Sequence, residues 1–289
     1  METMSGISLD EARAVLAERN LIAVGARGDE ERRRRHGART TFVRVLEVHV
    51  EAIPGAVPPG AAPGEIRVTG KPASADAAVA AVKAALHAAG TVPVTAFSLA
   101  DLFELAGHVV YNLSELAKRL AGAGLPAVAE APLDAFPGSV AVVAVQQTVK
   151  AGLPVPRLTV QRSAEGPVLD VIARAREVQH ASGAVRAFAP LPRVSSVAQP
   201  STGYDDVKVI AAARLFVDNI ESIQVDWALY GPKLAQFALT VGADDVDSVS
   251  PLEGDLGRRR SPLEEIRGNI KAAGLEPIER NGLFEPSGK

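Results

Sequence analysis

DNIESIQVDWALYGPKLAQFALTVGADD, residues 218–245, reads as a strand, a Gly-Pro turn, an amphipathic helix, a glycine and the start of a second strand. Ile223, Val225 and Trp227 alternate with Gln224 and Asp226, the period of two that marks a strand. Pro232 suits the first turn of a helix, and Leu234, Phe237, Ala238 and Val241 then share one apolar face. A strand, a helix and a returning strand in so few residues is the repeat of an α/β fold.

The same alternation extends along the chain. Ser8 and Glu11 form a capping-box pattern for a first helix to about residue 21, and a second helix is expected near 29–36. Short apolar strands are expected near 43–50, 65–69, 92–96, 126–129, 157–162, 185–189, 222–227 and 245–249. Helices are expected near 74–89, 98–107, 113–122, 138–151, 167–181, 204–217 and 231–241, and a last one from Pro262 to about 273. Eight strands with helices between them predict a single α/β domain over 1–289, a TIM-type (β/α)8 barrel or a partial barrel. Within it, 1–40 would hold N-terminal helices, 43–249 the barrel, and 250–289 a C-terminal helix and closing segment. One crossover stands out. EAIPGAVPPGAAPG, Glu51 to Gly64, carries prolines and glycines with no helical period, so the first crossover helix is expected to be lost. Its loss should leave apolar surface on the first two strands, a feature that marks interaction sites.

Composition bounds the function. With 289 residues, 47% of them hydrophobic and 22% charged, the chain can bury a sizeable core. Its net charge of −3 gives no pull towards nucleic acid or acidic lipid. There is no run long enough to span a membrane, and the N-terminus lacks a basic-then-apolar leader, so a cytoplasmic location is expected. The cysteine count is zero, which removes disulfides, thiolate zinc sites and iron–sulfur ligation. The five histidines show no pair at metal-ligand spacing, and no metal site is expected.

Several stretches, in order, resemble one family. RRRRHGARTTFVR (Arg32 to Arg44), EIRVTGKP (Glu65 to Pro72), the run from Thr95 to Pro126, RAFAPLP (Arg186 to Pro192), the 218–245 segment and NGLFEP (Asn281 to Pro286) are similar to the radical S-adenosylmethionine (SAM) enzymes of menaquinone and deazaflavin biosynthesis. The likeness is greater to aminofutalosine synthase than to cyclic dehypoxanthine futalosine synthase. It implies a radical SAM barrel. That family holds a [4Fe–4S] cluster on a CxxxCxxC loop after its first strand, where this chain has the Pro/Gly stretch. The Gly-Gly pair that approaches SAM reads Gly70-Lys71, and the Gly-rich fourth strand reads LPAVAEAP. The resemblance therefore implies a degenerate, cysteine-less member with no cluster, no residual SAM binding and no other cofactor.

Site candidates are sought at the carboxyl ends of the strands, where such barrels gather chemistry. The candidates for ligand binding are Gln161, Arg162, Arg193, Gln224 and Asp226; Arg162 or Arg193 would pair a ligand carboxylate. Catalytic candidates are His49, Asp226 and Asp245, since acid/base work needs a positioned pair. Two readings stay open. One is a non-catalytic protein of the futalosine pathway that binds an active radical SAM paralogue or a small nucleoside. The other is a cluster-independent enzyme acting on a futalosine-like nucleoside.

Overall fold

A computed structural model describes residues 6–162, 168–194, 203–252 and 262–287. Two helices, α1 (Leu9–Ala17) and α2 (Leu21–His36), precede β1 (Arg39–His49). Then follow β2 (Glu65–Thr69), α3 (Ala75–Ala89), β3 (Val94–Ser98), α4 (Leu99–Leu105), α5 (Val110–Gly122) and β4 (Ala127–Pro132). After α6 (Val140–Lys150) and β5 (Arg157–Arg162) come α7 (Val168–Ser182), β6 (Ala187–Val194), α8 (Gly203–Phe216) and β7 (Ser222–Asp226). The chain ends with α9 (Trp227–Ala238), β8 (Asp245–Val249), α10 (Pro262–Ala272) and β9 (Glu276–Glu279). The start of the helix expected at 167 lies outside the described residues.

The strands run parallel in the order β2 to β8, then β1, and β1 also pairs with β2, which closes the barrel. β1 does this because it is twice as long as its neighbours. Its upper half registers Val45 against Glu65 and His49 against Thr69. Its lower half lies between β8 (Thr41 against Asp245) and β9 (Arg39 against Glu276). β9 thus takes the edge that the short β2 leaves free, satisfying backbone groups that would otherwise be orphaned. Apolar alternates such as Ile66, Val68, Leu158, Ile223, Val225 and Val246 belong to one core with the helices.

The Ser8–Glu11 capping box is present, with Glu11 N–H donating to Ser8 Oγ at 3.2 Å and Ser8 N–H to Glu11 Oε2 at 2.8 Å. That first helix ends earlier than its pattern predicts. Asn20 starts a new cap, accepting from Ala23 N–H, and one continuous α2 replaces the shorter second helix. Trp227, expected to end a strand, instead starts α9, because Asp226 caps that helix through Leu229 N–H at 2.9 Å. A kink at Gly231, φ 72°, precedes Pro232.

Residues 50–64 form no helix, as their composition predicts. The expected exposed apolar face is nevertheless absent. Val50, Ile53 and Val57 pack against the core. Backbone hydrogen bonds from Gly64 to Arg44, from Ala62 to Pro251 and from Gly282 to Gly64 fasten the loop down. No β1 or β2 residue is among the exposed large hydrophobics of the described chain. A loop that is itself apolar at three positions covers the strands that the missing helix would have covered.

Candidate functional site

The lumen of the barrel is charged. Its side chains meet across strands that are not neighbours, which only inward-pointing groups can do. They form three layers.

At the amino end, Arg280 follows β9 and donates Nε and Nη2 to the two oxygens of Asp245, each at 2.7 Å. Thr41 Oγ1 donates to Asp245 at 2.5 Å and Gln224 Nε2 at 2.6 Å. The Arg280 guanidinium also lies 4.0 Å from the centre of the Phe284 ring, a cation–π distance. In the middle layer, Arg67 donates to both oxygens of Glu65, at 2.9 and 3.0 Å, and to Asp247 at 2.8 Å. Arg157 approaches Glu65 at 3.3 Å and Asp247 at 3.5 Å, while Thr95 donates to Glu65 at 2.5 Å. Burial would raise the Glu65 pKa, but the charges of Arg67 and Arg157 outweigh it and bring it down to about 2. Gly282 passes directly beneath, where an added Cβ would stand 2.6 Å from Glu65 Cγ.

The carboxyl end is the mouth. Arg193, at the end of β6, has Nε 2.8 Å from Glu130, Nη1 3.4 Å from Asp226 and Nη2 3.8 Å from Asp247. Asp226 also accepts from Ser248 at 3.0 Å. Burial and the nearby Asp247 charge raise the Asp226 pKa against the pull of Arg193. Beside Glu130 opens a cavity of about 460 Å3 between the ends of β3, β4 and β5, lined in part by Ser98, Asp101, Phe103, Glu104, His108 and Gln161.

The expected site residues therefore divide. Arg193 and Asp226 meet at the mouth, and Gln161 lines the cavity beside them. Arg162 donates its backbone N–H to Asp134 at 2.7 Å, and its side chain is exposed. Asp245 lies at the opposite end, committed to Arg280, and Gln224 donates to that same carboxylate. His49 stands half-exposed above β1, its Nδ1 3.9 Å from Glu51 Oε2. A Cβ at Gly70, φ 86°, would lie 2.4 Å from His49 Nε2, so only glycine fits there. The acid/base partnership of His49 with Asp226 or Asp245 is not formed. Sequence reasoning missed Glu65, Arg67, Glu130 and Arg157. The signal was present: Glu65 and Arg67 share one face of a strand on which they alternate with Ile66 and Val68, and two charges on one parallel strand are unusual.

The cluster that the fold's relatives imply does not fit this chain. Between β1 and β2, Glu51 is the only side chain of a usual metal-ligating type, and there is no thiolate. On β4, the Ala129 carbonyl is already taken by Arg157 Nη1 at 2.9 Å. Among the described residues no three His, Asp or Glu side chains gather as a metal site.

A family model described as the CofH/MqnC C-terminal region matches residues 187–288, from β6 onward. Over that region, about a third of its length, the chain is similar to this family, and its sequence holds no cysteine. It is 30% identical over 139 residues to the aminodeoxyfutalosine synthase of Streptomyces coelicolor, covering 40% of this chain and 36% of that protein. To the Thermus thermophilus aminodeoxyfutalosine synthase it is 34% identical over 131 residues, 40% and 35% of the two chains. It is also 34% identical over 122 residues to the 5-amino-6-(D-ribitylamino)uracil–L-tyrosine 4-hydroxyphenyl transferase of Archaeoglobus fulgidus, 38% and 36% of the two. The aligned stretches thus span little more than a third of these relatives. Among solved structures, methylornithine synthase (PylB) superposes with a TM-score of 0.66 over 95% of both chains at 13% identity. The hydrogenase maturase HydG gives 0.66 over 94% of this chain and 72% of its own, at 15% identity. Likeness at such identity establishes the fold, a closed parallel barrel of eight strands ringed by helices. No helix among the described residues is long and apolar enough to cross a membrane.

Proposed function

We propose that the protein is a non-catalytic relative of aminodeoxyfutalosine synthase that serves menaquinone (futalosine-pathway) biosynthesis in the cytoplasm, by binding an active radical SAM paralogue or a pathway nucleoside. The observation that carries this reading is the lumen itself. Glu65, Arg67, Arg157, Asp247 and Arg193 fill with mutual ion pairs the space where a barrel enzyme gathers its chemistry. The lack of any thiolate supports it, since radical SAM chemistry starts from a thiolate-held cluster. The alternative, a cluster-independent acid/base enzyme, is disfavoured because His49 faces Glu51 and not the lumen carboxylates.

Three measurements on one preparation test the reading. Anaerobic reconstitution with iron and sulfide should yield no stoichiometric iron. Aminodeoxyfutalosine synthase from the same organism should co-elute with the protein, or futalosine-type nucleosides should raise its Tm. Turnover of such a nucleoside by the isolated protein would overturn the proposal.

A further inference from the structure

The mouth is unevenly charged. Among the described residues, Glu65, Glu130, Asp226 and Asp247 make four carboxylates in the middle and upper layers, against three guanidinia from Arg67, Arg157 and Arg193. Arg193 serves three of the four at once, and its contacts lengthen from 2.8 to 3.4 to 3.8 Å. Asp247 is fully buried, yet its Oδ2 makes no hydrogen bond, lying 3.5 Å from Arg157 and 3.8 Å from Arg193. A buried carboxylate oxygen without a donor is costly, and a cation placed there offsets that cost. Glu130 is shared: it holds Arg193 and it also lines the 460 Å3 cavity. The same cavity carries Asp101, whose pKa burial pushes up, and Glu104, whose partner is Lys71 at 2.5 Å. Phe103, buried against His108 and Phe136, contributes an apolar part of the cavity wall.

We propose that Arg193 is an internal plug: its guanidinium occupies a cation socket formed by Glu130, Asp226 and Asp247, and a small guanidinium-type ligand entering the adjoining cavity competes with it for Glu130. The socket discriminates by charge. A carboxylate would enter a region already rich in carboxylates and find Arg193 committed, whereas a guanidinium finds Glu130 on β4 and the half-buried Asp101 in the first turn of α4. Release of Arg193 is then the price of ligand entry, which makes the contact self-inhibitory. The inference stands on this chain's own geometry and does not depend on the pathway assignment.

Methylguanidinium is the probe, titrated by calorimetry into the full chain and its Arg193→Ala variant in matched sodium chloride. Arg193→Ala should bind it at least tenfold more tightly than the unmodified protein, and millimolar probe should return part of any lost Tm. Acetate should bind neither form. The double variant Arg193→Ala/Glu130→Gln should lose the gain. If Arg193→Ala does not fold, Arg193→Gln, which keeps a polar side chain without the charge, replaces it in both arms. A folded variant with no gain in affinity, equal binding by the unmodified protein, or a gain that survives Glu130→Gln would each overturn the proposal.

Discussion

At the amino end of the barrel one arginine meets one carboxylate; at the carboxyl end one arginine serves three. Arg280 and Asp245 are joined by two bonds of 2.7 Å, with Thr41 and Gln224 completing the shell. Arg193 is spread over Glu130, Asp226 and Asp247 at distances out to 3.8 Å. The same residue types thus do different work. The lower pair is matched in number and geometry, so it locks the closing segment beneath the barrel. The upper set has one arginine for three carboxylates, so it stays able to exchange partners. Bidentate geometry is what separates the two cases, because a planar fork aligned with a carboxylate makes two parallel charge-assisted bonds to one partner.

The comparison breaks most readily at Arg280. Arg280→Ala leaves Asp245 buried and unpaired, and removal of one partner of such a pair costs about 3–5 kcal/mol. Urea unfolding should show a loss of that order; a loss near zero would mean that the amino end is no lock at all. The next effect comes from the middle layer. Glu65 has an ordinary pKa of 4.5 when unfolded and about 2 when folded, so below pH 4.5 the unfolded chain binds a proton that the folded chain does not. Stability should therefore fall as pH drops from 4.5 towards 2, and Glu65→Gln should flatten that part of the curve while lowering stability at pH 7.

A separate pH effect of similar size belongs to His36, outside the lumen. Burial, then the positive charges of Arg214 and Arg35, lower its pKa from 6.5 to about 4. Between those values the unfolded chain again holds the extra proton, so stability should decline as pH falls from 6.5 to 4. His36→Gln should remove that slope without touching the one below 4.5. Smallest of all, Arg162→Ala should change stability by no more than roughly 0.5 kcal/mol, as expected for an exposed side chain. A large loss there would extend the mouth network to β5.

Much of this was legible beforehand. Alternation at Ile223 and Val225 marked β7, Ser8 with Glu11 marked α1, and four prolines between Glu51 and Gly64 ruled out the first crossover helix. These signals are local: each depends on the conformational preference of a few adjacent residues. β9 was not legible, because Glu276–Glu279 is short and polar and becomes a strand only where β1 offers an open edge. Nor was the cover over β1 and β2, which depends on Ile53 and Val57 reaching the core from an irregular loop.

The site divides along the same line. Sequence alone determined that no thiolate can hold a cluster and that charged side chains stand on strands expected to be apolar. Tertiary structure alone decided which charges meet. Gln224 and Asp226 are two residues apart on one strand, yet the first donates to Asp245 at the amino end and the second pairs with Arg193 at the mouth. A strand rises about 3.3 Å per residue, so two residues are enough to change layers in a barrel. Ion-pair partners come from non-adjacent strands, and only closure of the sheet brings those strands face to face.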